Sequence, residues 1–223
     1  MAMDIVENLN KILHELPGRV KLIAISKNHP EDLIMKVYNT GHKTFGENRV
    51  QELISKYRNL PKDIEWHMVG HLQRNKVSYI APFISLIHSV DSLRLLHAIE
   101  KEALNNHRII DCLLQIRIAR EETKFGLSFD EIKKILCSEE FANFKNLRIK
   151  GLMGMATFTS DENEIKSEFE YLVNAYRQLK ELFFKEKPYF CELSMGMSND
   201  YKLAVRAGST MVRIGSLIFG DRN

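Results

Sequence analysis

The sequence predicts an α/β chain folded as a single (β/α)8 TIM-type barrel with an extra N-terminal helix, one domain over residues 1–223. Three observations predict it. Eight short apolar runs alternate with amphipathic, helix-patterned stretches along the whole chain. The length of 223 residues suits one barrel. No Gly-x-Gly-x-x-Gly follows the first run, so the fingerprint of the competing doubly wound sheet is missing.

The elements follow in order. Ile5, Leu9, Ile12, Leu13 and Leu16 form a helical stripe that Pro17 and Gly18 end. Val20 to Ser26 is the first strand, apolar enough to be buried on both faces. Pro30 opens a helix carrying Leu33, Ile34 and Val37, which stops at Gly41. Thr44 to Asn48 is the second strand, and a helix begins at Val50. Glu65 to Gly70 is the third, followed by a helix from about His71. Leu86 to Val90 is the fourth, with Asp91 and Ser92 placed to cap the next helix.

Ile110 to Arg117 is the fifth strand. Ser128 and Glu131 have capping-box spacing ahead of Ile132, Ile135 and Leu136. Ile149 to Met155 is the sixth strand. A long helix then buries Ile165, Phe169, Leu172, Val173, Tyr176, Leu179 and Phe183. Tyr189 to Ser194 is the seventh strand, Tyr201 to Ala207 a short helix, and Thr210 to Gly215 the eighth strand.

Composition narrows the function classes. Hydrophobic residues make up 44% and charged residues 27%, as in ordinary globular chains. The net charge of +3 is too small and too scattered to indicate nucleic acid. Three cysteines without a Cys-x-x-Cys pair indicate free thiols in a reducing compartment. No signal-peptide pattern opens the chain, and no apolar run approaches the roughly 20 residues that cross a bilayer. A cytoplasmic location without membrane contact is expected.

In a barrel the carboxyl ends of the strands converge on one face, where sites are built. Lys27 falls just past the end of strand one. An amine in a partly desolvated pocket there loses basicity and attacks carbonyls. Ser194 and Gly196 near strand seven, with Gly215 and Ser216 after strand eight, suit a phosphate cup. Amine and cup together suit an aldehyde ligand bearing a phosphate. On residues alone, a solvated loop lysine and ordinary glycine turns remain the alternatives.

The ordered segments Ile25–Lys27, Phe45–Glu52, Trp66–Lys76, His88–Asp91, Lys124–Leu127, Gly151–Met155, Leu193–Ser198, Val212–Gly215 and Ile218–Gly220 resemble the pyridoxal phosphate homeostasis family. Its barrel is similar to the N-terminal domain of alanine racemase. The resemblance implies a pyridoxal 5′-phosphate cofactor held by Lys27 as a Schiff base, with Arg213 facing the pyridine nitrogen. It also implies that Ser194, Gly215 and Ser216 hold the phosphate and that Asn48 lies near the ring. The continuation after Lys27, Asn28-His29-Pro30, departs from the family's usual Thr-Lys-Pro.

An arginine at the ring nitrogen keeps it unprotonated and weakens the electron sink. The racemase's second acid/base group, a tyrosine from another domain, is not expected in a sequence that ends shortly after Gly215. The expected function is therefore carriage or buffering of pyridoxal phosphate by a monomer that exchanges it with dependent apo-enzymes, with little or no turnover and no catalytic residues. A racemase or related amino-acid-transforming enzyme is the alternative, and a Schiff-base aldolase acting on a sugar phosphate is the third reading.

Other motifs carry less. His67 and His71 have metal-ligand spacing, but Gly70 interrupts them and no metal is expected. Ser198 lies outside any Gly-x-Ser-x-Gly elbow. The methionines at 153, 155, 195 and 197 read as core and cofactor packing. Whether Lys76, Lys124 or another lysine holds a second cofactor molecule stays open.

Overall fold

The computed structural model describes residues 4–119 and 125–220. Eight parallel strands close into a barrel in sequential order. They are β1 Lys21–Ile25, β2 Thr44–Glu47, β3 Glu65–Met68, β4 Leu86–Val90, β5 Ile110–Gln115, β6 Leu147–Met153, β7 Glu192–Met197 and β8 Met211–Ile214. Around them run α2 Glu31–Tyr38, α3 Val50–Asn59, α4 Val77–Ile80, α5 Leu93–Asn105, α6 Phe129–Leu136, α7 Glu139–Ala142, α8 Glu162–Phe183 and α9 Tyr201–Ala207. The helix α1 Ile5–Glu15 precedes the barrel, and α10 Ser216–Phe219 follows β8. Asn8 of α1 donates to the Ile218 carbonyl at 3.3 Å, which docks α1 against α10.

Alternation along the strands divides the apolar residues between two cores. On β1, Ile23 and Ile25 point inward, while Leu22 and Ala24 pack beneath the helices. The interior core joins Ile23, Ile25, Val69, Leu86, Leu113, Met153 and Met211. The outer core is larger and includes Phe45, Trp66, Phe169 and Phe190. Ser128 and Glu131 form the expected capping box on α6, and Ser92 caps α5.

Two expected elements lie elsewhere. The helix expected from His71 begins later, with a 3-10 turn at Arg74–Lys76 and then α4. No side chain caps that entry, and His71 is instead held by Asp91 at 3.1 Å and stacked on Phe125. Strand seven runs Glu192–Met197, not Tyr189–Ser194. Phe190 is captured by the outer layer, stacked on Phe184 at 4.1 Å and on Tyr176 at 5.0 Å. Hydrophobic periodicity cannot distinguish that aromatic anchor from a strand residue.

Among the described residues no helix is long and apolar enough to cross a membrane. Cys112, Cys137 and Cys191 are free thiols.

Candidate functional site

The carboxyl ends of β1, β2 and β8 open on a cavity of about 430 Å³. Lys27, Asn48, Arg213, Gly215 and Ser216 line it together with Gln115, Met155, Met197, Ser198 and Asp200. Its size falls in the range of small-ligand pockets. His71 and the exposed Phe125 and Phe158 stand at its edge.

Arg213 is the charged centre of this site. It is buried, and its guanidinium donates to Ser194 Oγ at 2.6 Å and to the Gly154 carbonyl at 3.0 Å. Burial pulls its pKa down to about 10, against the pull of Asp200, so it stays charged at neutral pH. Burial also raises the Asp200 pKa from its ordinary value, although the Met197 N–H donates to it at 2.5 Å.

A polar column continues below Arg213 through the barrel interior. Ser194 Oγ lies 3.0 Å from His88 Nδ1, and His88 Nε2 lies 2.9 Å from His67 Nδ1. Burial lowers the His67 pKa to about 3, and nearby Lys21 and Lys150 act in the same direction. Burial, His67 and Arg213 hold His88 well below its ordinary value. Both rings are neutral at pH 7, each with one donor and one acceptor nitrogen, and can chain hydrogen bonds without a buried charge.

The rim depends on a kink in β7. Ser194 pairs with Met211 and Met197 with Arg213, so one extra residue enters β7 between them. Gly196 takes φ +96° there, where a Cβ would lie 2.6 Å from that of Ala204. The bulge turns both Ser194 and Met197 inward and delivers Ser198 to the rim. Ser198 Oγ lies 3.4 Å from the Gly215 N–H. Across the rim, His29 stacks on Phe219 at 4.8 Å and ties the loop after Lys27 to α10.

Five of the six expected site residues therefore share one cavity. Ser194 does not join them. It lies inside β7, fully buried between Arg213 and His88, one layer below the cavity. Ser198 stands at the rim position instead. The sequence reading also missed Gln115, Asp200 and the two interior histidines as neighbours of the site. A glycine within a strand pattern is the signal for the bulge that exchanges Ser194 for Ser198. His67 points into the barrel and His71 lies at the rim, so their four-residue spacing does not bring them to one site. Lys76 packs over the Tyr79 ring and does not line the cavity. Lys124 lies outside the described residues.

Comparison with known proteins identifies the family and the fold. Residues 3–223 match the family "alanine racemase, N-terminal domain". The pyridoxal phosphate homeostasis protein of Aquifex aeolicus is 36% identical over 231 residues, covering 99% of each chain. That of Helicobacter pylori is 38% identical over 204 residues, covering 91% of this chain and 88% of the relative. PipY of Synechococcus elongatus, solved with pyridoxal phosphate bound, superposes with a TM-score of 0.88 at 34% identity, covering 97% of this chain and 100% of PipY. Alanine racemase of Bartonella henselae shares the fold at 16% identity and a TM-score of 0.73, with 58% of its length covered. This chain belongs to the pyridoxal phosphate homeostasis protein family, built on the alanine racemase N-terminal barrel.

Proposed function

We propose that this protein binds pyridoxal 5′-phosphate covalently through Lys27 and acts in its intracellular homeostasis, as a carrier or buffer and not as an efficient catalyst. The observation that carries the reading is the joining of Lys27, Arg213, Ser198, Gly215 and Ser216 around one cavity at the carboxyl end of the barrel. The donor set fits the cofactor: a primary amine for the aldehyde, a donor-only guanidinium for the pyridine nitrogen, and hydroxyl and N–H groups for the phosphate. A Cβ at Gly215 would lie 3.1 Å from the Ile25 carbonyl, so glycine lets the chain after β8 pass close to the end of β1, where Lys27 begins its turn.

When bound, pyridoxal phosphate supplies an aldehyde that condenses reversibly with amines. Arg213 keeps its own proton at neutral pH and leaves a facing ring nitrogen unprotonated. Ser198 and Ser216 hold the phosphate, and Asn48 orients the ring edge. A monomer that releases the cofactor to apo-enzymes completes the reading.

The test is a visible spectrum of the purified protein, followed by borohydride reduction and peptide mapping. A yellow band fixed by reduction onto Lys27, and lost in Lys27→Ala, is expected. A protein that stays colourless with added pyridoxal phosphate overturns the reading. Racemisation of amino acids at enzymatic rates would replace carriage with turnover.

A further inference from the structure

Lys27 sits on a turn whose two flanking residues are tied to one charged cluster, Ser26 to the Lys56 ammonium and Asn28 to the Glu52 carboxylate. Lys56 of α3 is 4% exposed and Glu47 at the end of β2 is 0% exposed. Lys56 Nζ donates to Glu47 Oε1 at 2.7 Å, to Glu52 Oε1 at 2.6 Å and to the Ser26 carbonyl at 2.7 Å. These three bonds use every proton of the ammonium. Ser26 Oγ donates to Glu47 Oε1 at 2.6 Å, and the Asn28 N–H donates to Glu52 Oε1 at 2.6 Å. The residues immediately before and after Lys27 are therefore both bonded to the Glu47–Lys56–Glu52 cluster.

The turn needs such support. The His29 N–H closes onto the Ser26 carbonyl at 3.1 Å, which places Lys27 and Asn28 at its two central positions. Asn28 has φ +63°, in the left-handed region that non-glycine residues rarely occupy. A buried ion pair is a poor source of net stability, because desolvation of the charges offsets their attraction. Its use here is conformational: an ammonium at the carbonyl of Ser26 and a carboxylate at the amide of Asn28 select one turn geometry.

We infer that Lys56, held by Glu47 and Glu52, is a positioning residue that aims Lys27 into the cavity. This rests on the reading of Lys27 as the cofactor-binding amine. The capture step forms a carbon–nitrogen double bond between Lys27 Nζ and the aldehyde carbon and releases one water. Lys56 touches none of these atoms. It acts through the backbone on either side of Lys27. Misplacing a reacting group by about 1 Å costs up to roughly 100-fold in rate.

The test compares wild type, Lys56→Met and Glu52→Ala with two probes. Pyridoxal phosphate reports covalent capture by absorbance. Deoxypyridoxine phosphate, which lacks the aldehyde, reports the integrity of the cavity. In Lys56→Met, capture is expected to slow roughly 10- to 100-fold, with deoxypyridoxine phosphate affinity unchanged. Amide exchange at Asn28 and His29 in the cofactor-free protein should accelerate in step. Glu52→Ala, at a partly exposed side chain, should reproduce the effect more weakly and decides the matter if Lys56→Met does not fold. Folded variants with wild-type capture rates and wild-type exchange at Asn28 overturn the inference. Failure of wild type itself to capture pyridoxal phosphate on Lys27 overturns the underlying reading instead.

Discussion

Ser194 and Ser198 lie four residues apart in one glycine-containing segment, yet their surroundings differ. Ser194 Oγ accepts from the buried Arg213 guanidinium and contacts His88. Ser194→Ala strands a buried charged donor, so a loss of about 2 kcal/mol or more is expected in urea unfolding. Ser198 is half-buried at the rim. Ser198→Ala should leave unfolding unchanged within about 0.5 kcal/mol and weaken pyridoxal phosphate binding roughly tenfold, the size of one lost hydrogen bond to a charged group. Titration and urea melts of the two variants check the assignment. A loss of affinity in Ser194→Ala alone would return the phosphate role to Ser194.

The strands and helices differ in how openly their sequences announce them. The α6 capping box needs only residues three apart, and both of its reciprocal bonds form. Ser128→Ala should lower stability by about 1 kcal/mol in thermal melts, the ordinary value of an N-cap. Position 151 is more demanding. Gly151 in β6 has φ +155°, and a Cβ there would lie 1.7 Å from the Glu192 carbonyl across the β6–β7 ladder. Gly151→Ala must push β6 and β7 apart and is expected to cost more than about 4 kcal/mol or to abolish soluble expression. Survival with a near-wild-type melting temperature would contradict the register between β6 and β7. Elements set by local spacing were legible in the sequence. The β7 boundary was not, because Phe190 stacks with Tyr176 of α8 and with Phe184 just past its end, a packing that no local pattern reveals.

The closed barrel makes stability depend on pH. His67 and His88 are sealed inside it in neutral form, with pKa values below the ordinary 6.5. Unfolding frees both rings to bind protons, so their contribution is fully present above about pH 6.5 and is lost as pH falls toward the folded values. Between pH 7 and pH 5 each ring should remove about 2 kcal/mol of stability. The urea midpoint is expected to fall steadily over this window, and to fall less steeply in His67→Asn. A midpoint that holds constant from pH 7 to pH 5 would mean that the histidines are not sealed in the interior.

By itself the sequence determined the alternation of eight strands with helices, the place of Lys27 at the end of β1 and of Arg213 near the end of β8, and the glycine-bearing rim. These follow from periodicity and turn chemistry, which act over a few residues. Which hydroxyl faces the cavity, what lies under Arg213 and what grips the Lys27 turn depend on long-range packing. His88 and Ser194 are 106 residues apart, and Lys56 and the Ser26 carbonyl are 30 apart. Lys56 follows Glu52 by four residues on α3, the spacing of an ordinary helical ion pair. Barrel closure buries it against β1 and β2, and burial turns an ordinary surface charge into a conformational constraint.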